Sequence, residues 1–363
     1  MHYKNIHCFC LFWLLCISLH SFAATNSDLP LANPNSHKKF RILSIDGGGV
    51  RGIIPARILQ AMEEQTGKRI SELFDLVIGN STGGLIALAL LTPNQEGKAK
   101  YKAVDLVEFY KQKTPIIFSS SFFHHIKSGW GLWGPRYNRK HLDYILKELF
   151  GNAKLSHTLK PAVVISFSLD CALPEMWSTH HAREGKKLDY YLSDVAGATS
   201  AAPTYFAPKV LKNTHGEILH EIDGGIWANN PEFTAIRALS FMEHMPRNQD
   251  VILISIGTGA PKPNKKEFQK FQRQAAKLKY AGILGWMIKA QPNLIEMMMN
   301  ADSDWSKDLI SIVYPNSHRI QVYIPQKLSS MDNPKNVEKL RVLAEKYIAT
   351  DSFKAICNEL MQS

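Results

Sequence analysis

The feature that most constrains the fold of this 363-residue chain is Ser81, which stands between Gly79 and Gly83. A strand-like apolar run at 73–78 comes before it, and a run that is apolar on nearly every side, 83–91, comes after it. This order predicts a strand, a sharp turn and a buried helix, with the serine at the tip of the turn. Glycines are needed at the flanking positions because the strand and the helix must pass closely there.

A serine in such a turn is well placed to act as a nucleophile. Its hydroxyl would stand clear of its own backbone, and the N-terminal dipole of the buried helix would favour an alkoxide or a developing oxyanion. Ser81 is therefore a candidate catalytic nucleophile for acyl transfer. The same short pattern also occurs in ordinary loops, so the motif alone leaves a purely structural turn open.

A glycine-rich loop follows an earlier strand-like run, and its candidate site residues are Gly47, Gly48, Gly49, Arg51 and Gly52. The spacing fits the glycine fingerprint of dinucleotide-binding folds, but the acidic residue expected about 20 residues later, at the tip of a second strand, is missing. A loop whose N–H groups at 47–49 stabilise an oxyanion is the better interpretation, and each such donor is worth about a hundred- to a thousandfold in rate. Arg51 would orient the loop or bind a phosphate group of the substrate. A tight turn without chemistry is the alternative.

The candidate general base is Asp223, which follows the strand-like run 217–222 and precedes Gly224 and Gly225. A carboxylate is a weak base in water. To accept a proton from serine near neutral pH, it needs either a desolvated pocket that raises its pKa or an alkoxide that never fully develops, and the sequence leaves both open. Aspartate followed by two glycines is also ordinary turn chemistry, so this motif taken alone favours a structural turn.

Strand-like and helix-like stretches alternate along the chain, which predicts a three-layer α/β/α fold around a central, mostly parallel sheet. The predicted strands are 40–45, 73–78, 162–169, 217–222, 251–256 and 319–324. The predicted helices are 53–66, 83–91, 101–112, 139–150 and 231–244, with two more expected at 335–344 and 351–361. Ligands bind beyond the carboxyl ends of the strands in such sheets. Because Gly47, Ser81 and Asp223 each come just after a predicted strand, we expect them to share one site.

Taken together, the glycine loop, the serine turn and the later Asp-Gly-Gly resemble the patatin-like phospholipase family of lipid acyl hydrolases. Further family-like stretches occur at 134–137, 198–206 and 254–259. The resemblance covers residues 39–325, and three motifs in one order are far more specific than any one of them. It implies a patatin-like catalytic domain there, with the helices of 326–363 packed on the same domain.

The resemblance also implies a mechanism. Ser81 would be the nucleophile of a serine–aspartate dyad without histidine, Asp223 would be the general base, and the adjacent glycines at 47–49 would form the oxyanion hole. The substrate would be a fatty-acyl ester of a membrane or micellar lipid, hydrolysed through an acyl-serine intermediate without a cofactor. The residues by themselves indicate only a serine esterase.

Other interpretations stay open at this point. An α/β-hydrolase triad would add a later histidine, His244 or His318, to the serine and the aspartate, although neither histidine lies in a convincing turn. A non-catalytic lipid-binding or storage-like relative would keep the fold without the reaction, but the intact motifs argue against it. A secreted toxin that a host protein activates is compatible with the hydrolase. No metal site is expected, because the adjacent His180 and His181 have no partner ligands at a recognisable spacing.

The N-terminus has the layout of a secretory signal peptide, with a lysine, an apolar run too short to span a membrane, and small residues at its end. We expect 1–24 to be a signal peptide and 25–38 a polar linker, so the protein would be secreted or periplasmic. A lipoprotein box at Cys16 is not favoured, because a bulky leucine precedes that cysteine. Only Cys171 and Cys357 remain after cleavage, so no disulfide framework is expected, and Cys171 is expected in the core.

The formal net charge of +11 at pH 7 is large for this chain and is compatible with nucleic acid, an anionic membrane or simple solubility. No nucleic-acid-binding module is recognisable. Five lysines and one arginine crowd the helix-like segment 265–279, which leads into an apolar run at 280–288, and such a segment can lie on anionic lipid. The aromatic segment 116–123, with Trp130 and Trp133, is a second candidate for a membrane-facing lid. Burial of these aromatic side chains in the core is the alternative.

Overall fold

The computed structural model describes residues 39–363 except for several internal segments. The segments left out are 121–125, 127, 129–132, 186–187, 213–215, 241, 243–244, 280–281, 283–284, 287–296 and 298–305. The expected signal peptide and linker, His244, Trp130 and most of the apolar run at 280–288 therefore lie outside the described residues. The expectations for these segments stay predictions.

The central sheet is mixed and mostly parallel, as the sequence predicts. The strands are β1 (Phe40–Ile45), β2 (Leu76–Asn80), β3 (Ala162–Ser168), β4 (Leu173–Ser178), β5 (Lys209–Lys212), β6 (Ile218–Asp223), β7 (Val251–Ile256), β8 (Ala260–Lys262), β9 (Asn316–Ile320) and β10 (Tyr323–Pro325). Each strand of the path β5-β6-β3-β2-β1-β7-β9 is hydrogen-bonded to the next, and β4 also pairs with β3. Strands β8 and β10 form a separate parallel pair. The pairs from β3 through β2, β1 and β7 to β9 are parallel, whereas β4 and β6 are antiparallel to β3.

Helices cover both faces of this sheet. They are α1 (Ile53–Thr66), α2 (Ile70–Leu73), α3 (Thr82–Leu91), α4 (Ala103–Ile117), α5 (Arg139–Phe150), α6 (Thr179–Glu184), α7 (Leu192–Thr199), α8 (Thr234–Ser240), α9 (Lys265–Leu278), α10 (Ser306–Val313), α11 (Val337–Ile348) and α12 (Asp351–Gln362). The larger core lies on the face that carries α1, α3, α4, α11 and α12, and the smaller core lies under α8 and α10. The predicted three-layer α/β/α architecture is thus confirmed. In the described part of the chain, no helix is both long and apolar enough to span a membrane.

The centre of the fold follows from composition. Every residue of α3 is buried, because the helix has no charged residue and packs between the sheet and its neighbours. All residues of β7 and all but the first of β1 are buried, as expected for central strands of a parallel sheet covered on both faces. The carboxyl-terminal helices contribute Leu340 and Phe353 to the larger core, and Arg57 Nε of α1 lies 2.8 Å from Glu345 Oε1 of α11.

Several predicted boundaries were wrong. The run 73–78 becomes a strand only from Leu76, because Ile70–Leu73 forms the short helix α2. The run 319–324 divides between two strands, β9 and β10. Strand β4 was not predicted, since most of its residues are at least partly exposed and lack a clear alternation. Cys171, expected in the core, is exposed and lies in the turn between β3 and β4.

The meeting of Ser81 and Asp223 has a different cause from the one predicted. One edge of β3 pairs with β4, while the other edge pairs with β2 over residues 162–165 and with β6 over residues 166–168. Strands β2 and β6 therefore lie end to end along the same edge and run towards each other. Their carboxyl ends meet, and this places the two candidate residues side by side, although β6 is not part of the parallel set.

Candidate active site

The serine turn has the geometry that its glycines predict. Ser81 has φ 52° and ψ −122°, a backbone conformation that residues other than glycine rarely adopt. A Cβ on Gly79 would overlap the Gly83 carbonyl, and a Cβ on Gly83 would overlap the Ile45 carbonyl. The absence of side chains at these two positions lets β2, α3 and β1 approach closely, so that the strained serine is held from three sides.

Ser81 and Asp223 form a hydrogen-bonded pair. Ser81 Oγ donates to Asp223 Oδ2 at 2.6 Å, and the Gly225 N–H donates to the other oxygen, Oδ1, at 2.8 Å. Asp223 is fully buried, and Ser81 is only 6% exposed. A Cβ on Gly224 would come within 2.7 Å of the Asn80 side-chain oxygen, so this glycine lets the turn after β6 lie against the serine turn. The arrangement joins a candidate nucleophile to a candidate base.

The environment of Asp223 changes its acidity. Burial raises the pKa of its carboxyl from 3.8 to about 7, although hydrogen bonds from Ser81, the Gly225 N–H and Asn80 act in the opposite direction. A base with a pKa near the working pH can both accept a proton and return it. The sequence left open two ways in which Asp223 could act as the base: a desolvated pocket, or an alkoxide that never fully develops. The burial of Asp223 in the structure fits the desolvated pocket.

The amides of the glycine loop are not equivalent. The Gly47 N–H donates to the Asn229 carbonyl at 3.0 Å, so it is occupied, while the Gly47 carbonyl accepts from Thr258 Oγ1 at 2.6 Å. Within the described residues, no acceptor is bonded to the N–H groups of Gly48 and Gly49. Gly49, with φ 58°, lines the same pocket as Ser81. Gly48 and Gly49 therefore remain as candidate oxyanion donors, and Gly47 does not.

The contacts of Arg51 and Gly52 indicate structural roles for both residues. Arg51 is 1% exposed, and a Cβ on Gly48 would lie 3.2 Å from its Nε. This burial fits the predicted role in orienting the loop better than contact with a lipid phosphate. A Cβ on Gly52 would overlap the hydroxyl groups of Thr82 and Tyr110, which contact each other. Gly52 thus allows the start of α1 to approach the start of α3.

A buried ion pair holds the start of the glycine loop. Arg319 on β9 donates from Nη1 and Nη2 to the two carboxylate oxygens of Asp46 at 2.8 and 2.5 Å, and both side chains are at most 3% exposed. Nη1 also donates to Ser255 Oγ at 2.8 Å. The Asp46 N–H donates to the Ile256 carbonyl at 3.1 Å. The loop therefore begins from a fixed point on the sheet.

An apolar pocket opens beside Ser81. Its apolar and aromatic lining residues are Leu85, Phe109, Tyr110, Ile117, Phe118, Leu142, Ala202, Tyr205, Phe206 and Met331. Asp223 and Ser200 are among the polar residues on the same pocket. Such a lining can hold a hydrocarbon chain while its polar end lies at the serine.

The histidines of the alternative interpretations have other partners. His318 lies on β9, where its Nε2 is 2.7 Å from Glu359 Oε2 of α12. His180 Nε2 lies 3.2 Å from Glu184 Oε1 on the same short helix. Among the described residues, Ser81 Oγ is bonded to a carboxylate and not to a histidine. A triad with His318 has no support in this geometry.

Four residues without a predicted role help to build the site. Thr199 accepts the Ser81 N–H on its hydroxyl at 2.7 Å, so that amide is not a free oxyanion donor. Thr199 and Thr258 fall in two of the family-like stretches, which could have pointed to them, and Asn80 lies inside the serine turn itself. Met331, whose carbonyl accepts the Val50 N–H at 2.8 Å, has no local sequence signal.

Comparisons with known proteins identify a family. The family model described as Patatin-like phospholipase matches residues 43–236. Patatin-like protein 2 of Arabidopsis thaliana is 33% identical over 322 residues, which cover 81% of this chain and 77% of that protein. Patatin-05 of Solanum tuberosum is 30% identical over 312 residues, which cover 78% of this chain and 74% of that protein.

Two solved structures are similar at low sequence identity. Human GIVD cytosolic phospholipase A2 gives a TM-score of 0.45 at 10% identity and covers 89% of this chain and 60% of its own. VipD from Legionella pneumophila gives a TM-score of 0.36 at 14% identity and covers 87% of this chain and 68% of its own.

Proposed function

Because this chain belongs to the patatin-like phospholipase family, we propose that it hydrolyses fatty-acyl esters of membrane lipids through an acyl intermediate on Ser81. Family membership supports a lipid acyl hydrolase. The observation that carries the finer proposal is the 2.6 Å hydrogen bond from Ser81 to the buried Asp223. A serine bonded to a carboxylate with a pKa of about 7 can lose its proton near neutral pH without a histidine.

The first half of the reaction forms the acyl-enzyme. Ser81 Oγ attacks the acyl carbonyl as Asp223 accepts its proton, and the carbonyl oxygen becomes an oxyanion. The N–H groups of Gly48 and Gly49 stabilise that charge, together with the N-terminal end of α3. The intermediate then collapses, the bond to the alcohol breaks, and Asp223 returns the proton to the departing alcohol.

The second half releases the fatty acid. Water attacks the acyl-Ser81 ester while Asp223 accepts one of its protons, and a second oxyanion forms in the same place. Collapse breaks the bond to Ser81 Oγ, which recovers its proton from Asp223. One water is consumed, one fatty acid and one alcohol are released, and no cofactor is required.

The apolar pocket supports a long acyl chain as the preferred substrate. Phe109, Ile117 and Phe206 line it beside Ser81, so methylene groups of the chain can leave water there. Each buried methylene contributes about 0.8 kcal/mol to binding. We expect esters of long-chain acids to be hydrolysed at lower concentrations than acetate esters.

An anionic membrane surface is the proposed partner, with α9 as the contacting element. The cations on and directly after this helix are Lys265, Lys266, Lys270, Arg273, Lys277 and Lys279. No residue of α9 is buried, and Phe268 is 53% exposed. The chain reaches this helix through Thr258, whose hydroxyl donates to the Gly47 carbonyl, and then through β8. Trp133 and Trp286, from the two predicted lid segments, are also exposed.

Covalent labelling tests the dyad. We would treat wild type, Ser81→Ala, Asp223→Asn and His318→Ala with a fluorophosphonate probe, locate the adduct by mass spectrometry, and measure fatty acid released from phospholipid vesicles. We expect an adduct on Ser81 in wild type and in His318→Ala, and loss of both labelling and release in the other two variants.

Each alternative gives a different result. Loss of labelling in a folded His318→Ala would favour the triad over the dyad. Vesicle binding by wild type without labelling or release would favour a non-catalytic lipid-binding protein. Labelling that appears only after a host-cell extract is added would favour an enzyme that a protein activator switches on.

Vesicle sedimentation tests the membrane surface. The variant Lys266→Glu/Lys270→Glu/Lys277→Glu reverses three charges of α9. With about 1 kcal/mol per lysine near an anionic surface, binding to phosphatidylserine-containing vesicles should fall at least roughly a hundredfold. A matched variant with three exposed lysines of the carboxyl-terminal region changed to Glu, at positions 335, 339 and 346, should keep most of the binding. Equal losses in both variants would indicate attraction by net charge rather than contact by α9.

A further inference from the structure

Residues 329–333, which we call the strap, lie between β10 and the carboxyl-terminal helices and contact the glycine loop. The Met331 carbonyl accepts the Val50 N–H at 2.8 Å, and Met331 also lines the pocket beside Ser81. A Cβ on Gly49 would overlap the Met331 carbonyl oxygen. The strap therefore lies directly against the part of the loop that carries the candidate oxyanion donors.

Asp332, the next residue of the strap, is bonded on both carboxylate oxygens. Its Oδ2 accepts from Arg136 Nη1 at 2.7 Å and from the Tyr137 hydroxyl at 2.8 Å, and its Oδ1 accepts from Ser330 Oγ at 2.6 Å. Burial alone would raise the pKa of Asp332, but these hydrogen bonds outweigh it and hold the pKa below its ordinary value. The carboxylate is thus ionised, and its bonds to Arg136 and Tyr137 are charge-assisted.

The residues that bind Asp332 are themselves fixed to the wall of the pocket. The N–H groups of Arg136 and Tyr137 donate to the carbonyls of Thr204 and Tyr205, each at 2.9 Å. Tyr137 is 8% exposed, and its ring packs edge-on against Phe118, which lines the pocket, with ring centres 5.3 Å apart. Asp332 therefore connects the pocket wall to the glycine loop through one residue, Met331.

We propose that Asp332 is a positioning residue for the oxyanion donors, an inference that rests on the proposed hydrolase function. The loop is held at its start by the ion pair between Asp46 and Arg319, and at its end by the bond from Val50 to the Met331 carbonyl. Gly48 and Gly49 lie between these two supports. Asp332 fixes Met331, so its loss frees one end of the segment that presents both N–H groups.

The size of the effect follows from how strictly catalysis depends on position. A displacement of about 1 Å in a catalytic group can cost roughly a hundredfold in rate. An oxyanion donor acts mainly in the transition state, so misplacing it lowers kcat more than it raises KM. A residue that only stabilises the fold would lower the melting temperature and leave kcat per folded molecule unchanged.

The test compares Asp332→Asn with Glu345→Gln in the full chain. The control removes the ion pairs that Glu345 of α11 makes with Arg57 of α1 and with Arg341 of its own helix, in the same carboxyl-terminal region, but does not touch the strap. We would measure kcat and KM with p-nitrophenyl butyrate, the rate of inactivation by a fluorophosphonate, and thermal unfolding. For Asp332→Asn we expect kcat to fall about 10- to 100-fold with KM changed less than about threefold. The rate of inactivation should fall in parallel, because the phosphoryl oxygen of the probe needs the same donors. For Glu345→Gln, both kcat and the inactivation rate should stay within about twofold of wild type.

Three outcomes would overturn the proposal. A folded Asp332→Asn with wild-type kcat would make the residue structural only, and a rise in KM alone would make it part of the pocket. If wild type neither turns over the ester nor reacts with the probe, the proposed function fails, and this inference fails with it. Should Asp332→Asn not fold, Tyr137→Phe decides the matter, because it removes one of the two donors to Oδ2. We expect that variant to lower kcat about three- to tenfold, and an unchanged kcat would count against the proposal.

Discussion

Replacing Asp223 with asparagine should make this protein more stable at alkaline pH while abolishing its activity. Asparagine cannot ionise, and its oxygen can still accept the Gly225 N–H while its NH₂ group faces Ser81 Oγ in place of Oδ2. It therefore resembles the protonated form of Asp223. The wild-type carboxyl must lose its proton in a site where it is fully buried, and this ionisation weakens the native state.

The size and the sign of the effect follow from linkage. The native pKa of Asp223, about 7, lies above the ordinary value of 3.8, so the native state holds this proton more tightly than the unfolded chain does. The free energy of unfolding therefore falls as the pH rises through this window, and the full loss is on the order of 4 kcal/mol. Most of this loss in the free energy of unfolding occurs between pH 3.8 and about pH 7, and about 2 to 3 kcal/mol of it is expected between pH 5 and pH 8.

The assay is denaturant unfolding of wild type and Asp223→Asn at pH 5, 6, 7 and 8. We compare the difference between the two proteins at each pH, because contributions from all other groups cancel in that difference. Between pH 5 and pH 8, the free energy of unfolding of the variant should rise by about 2 to 3 kcal/mol relative to that of wild type. Ser81→Ala is the matched control, because it keeps the carboxyl and removes a hydrogen bond that lowers its pKa, so its pH dependence should persist and shift upward.

A constant difference between Asp223→Asn and wild type across this range would refute the reasoning. It would mean that the carboxyl has the same pKa in the native and unfolded states. The explanation of how a carboxylate serves as the base for serine would then also fail, whatever the activity of the variant.

Three further predictions concern the same site. The value of kcat/KM should rise with pH and reach half its maximum near pH 7, because Asp223 must be ionised, and a flat pH–rate profile would contradict this. Gly83→Ala should destabilise the protein by about 1–3 kcal/mol in denaturant unfolding, because the new Cβ would overlap the Ile45 carbonyl, and unchanged stability would mean that α3 can shift. Arg319→Gln should cost about 3–5 kcal/mol by leaving the Asp46 carboxylate buried without this partner, and a double-mutant cycle with Asp46→Asn should recover part of the loss.

The serine turn was predictable because its determinants are local. The glycines at positions 79 and 83, the strand before them and the apolar helix after them all lie within twenty residues of one another. The same is true of the glycine loop and of the fold class, which follows from alternating strand and helix patterns. Ser81 was placed at the tip of a strained turn, and the structure has it there.

The remaining features depend on contacts between distant segments. The direction of β6 could not be predicted, because parallel and antiparallel strands have the same apolar pattern, and only its end-to-end meeting with β2 brings Asp223 to Ser81. Which amides of the glycine loop are occupied depends on Asn229 and Met331, far along the chain. The exposure of Cys171 depends on where β3 ends, which the continuous apolar pattern did not mark.

The pairing of β1 with β7 has a practical consequence for shorter versions of this protein. The family match ends at residue 236, but all six residues of β1 pair with residues 251–256. A fragment cut at the end of the match would leave one side of β1 without its neighbour, and its N–H and C=O groups would be open to strands of other molecules. We expect such a fragment to aggregate even with both catalytic candidates present. A soluble truncated form should therefore extend at least through β9. This strand pairs with β7 as far as its last residue, Ile320, which lies opposite Ile256.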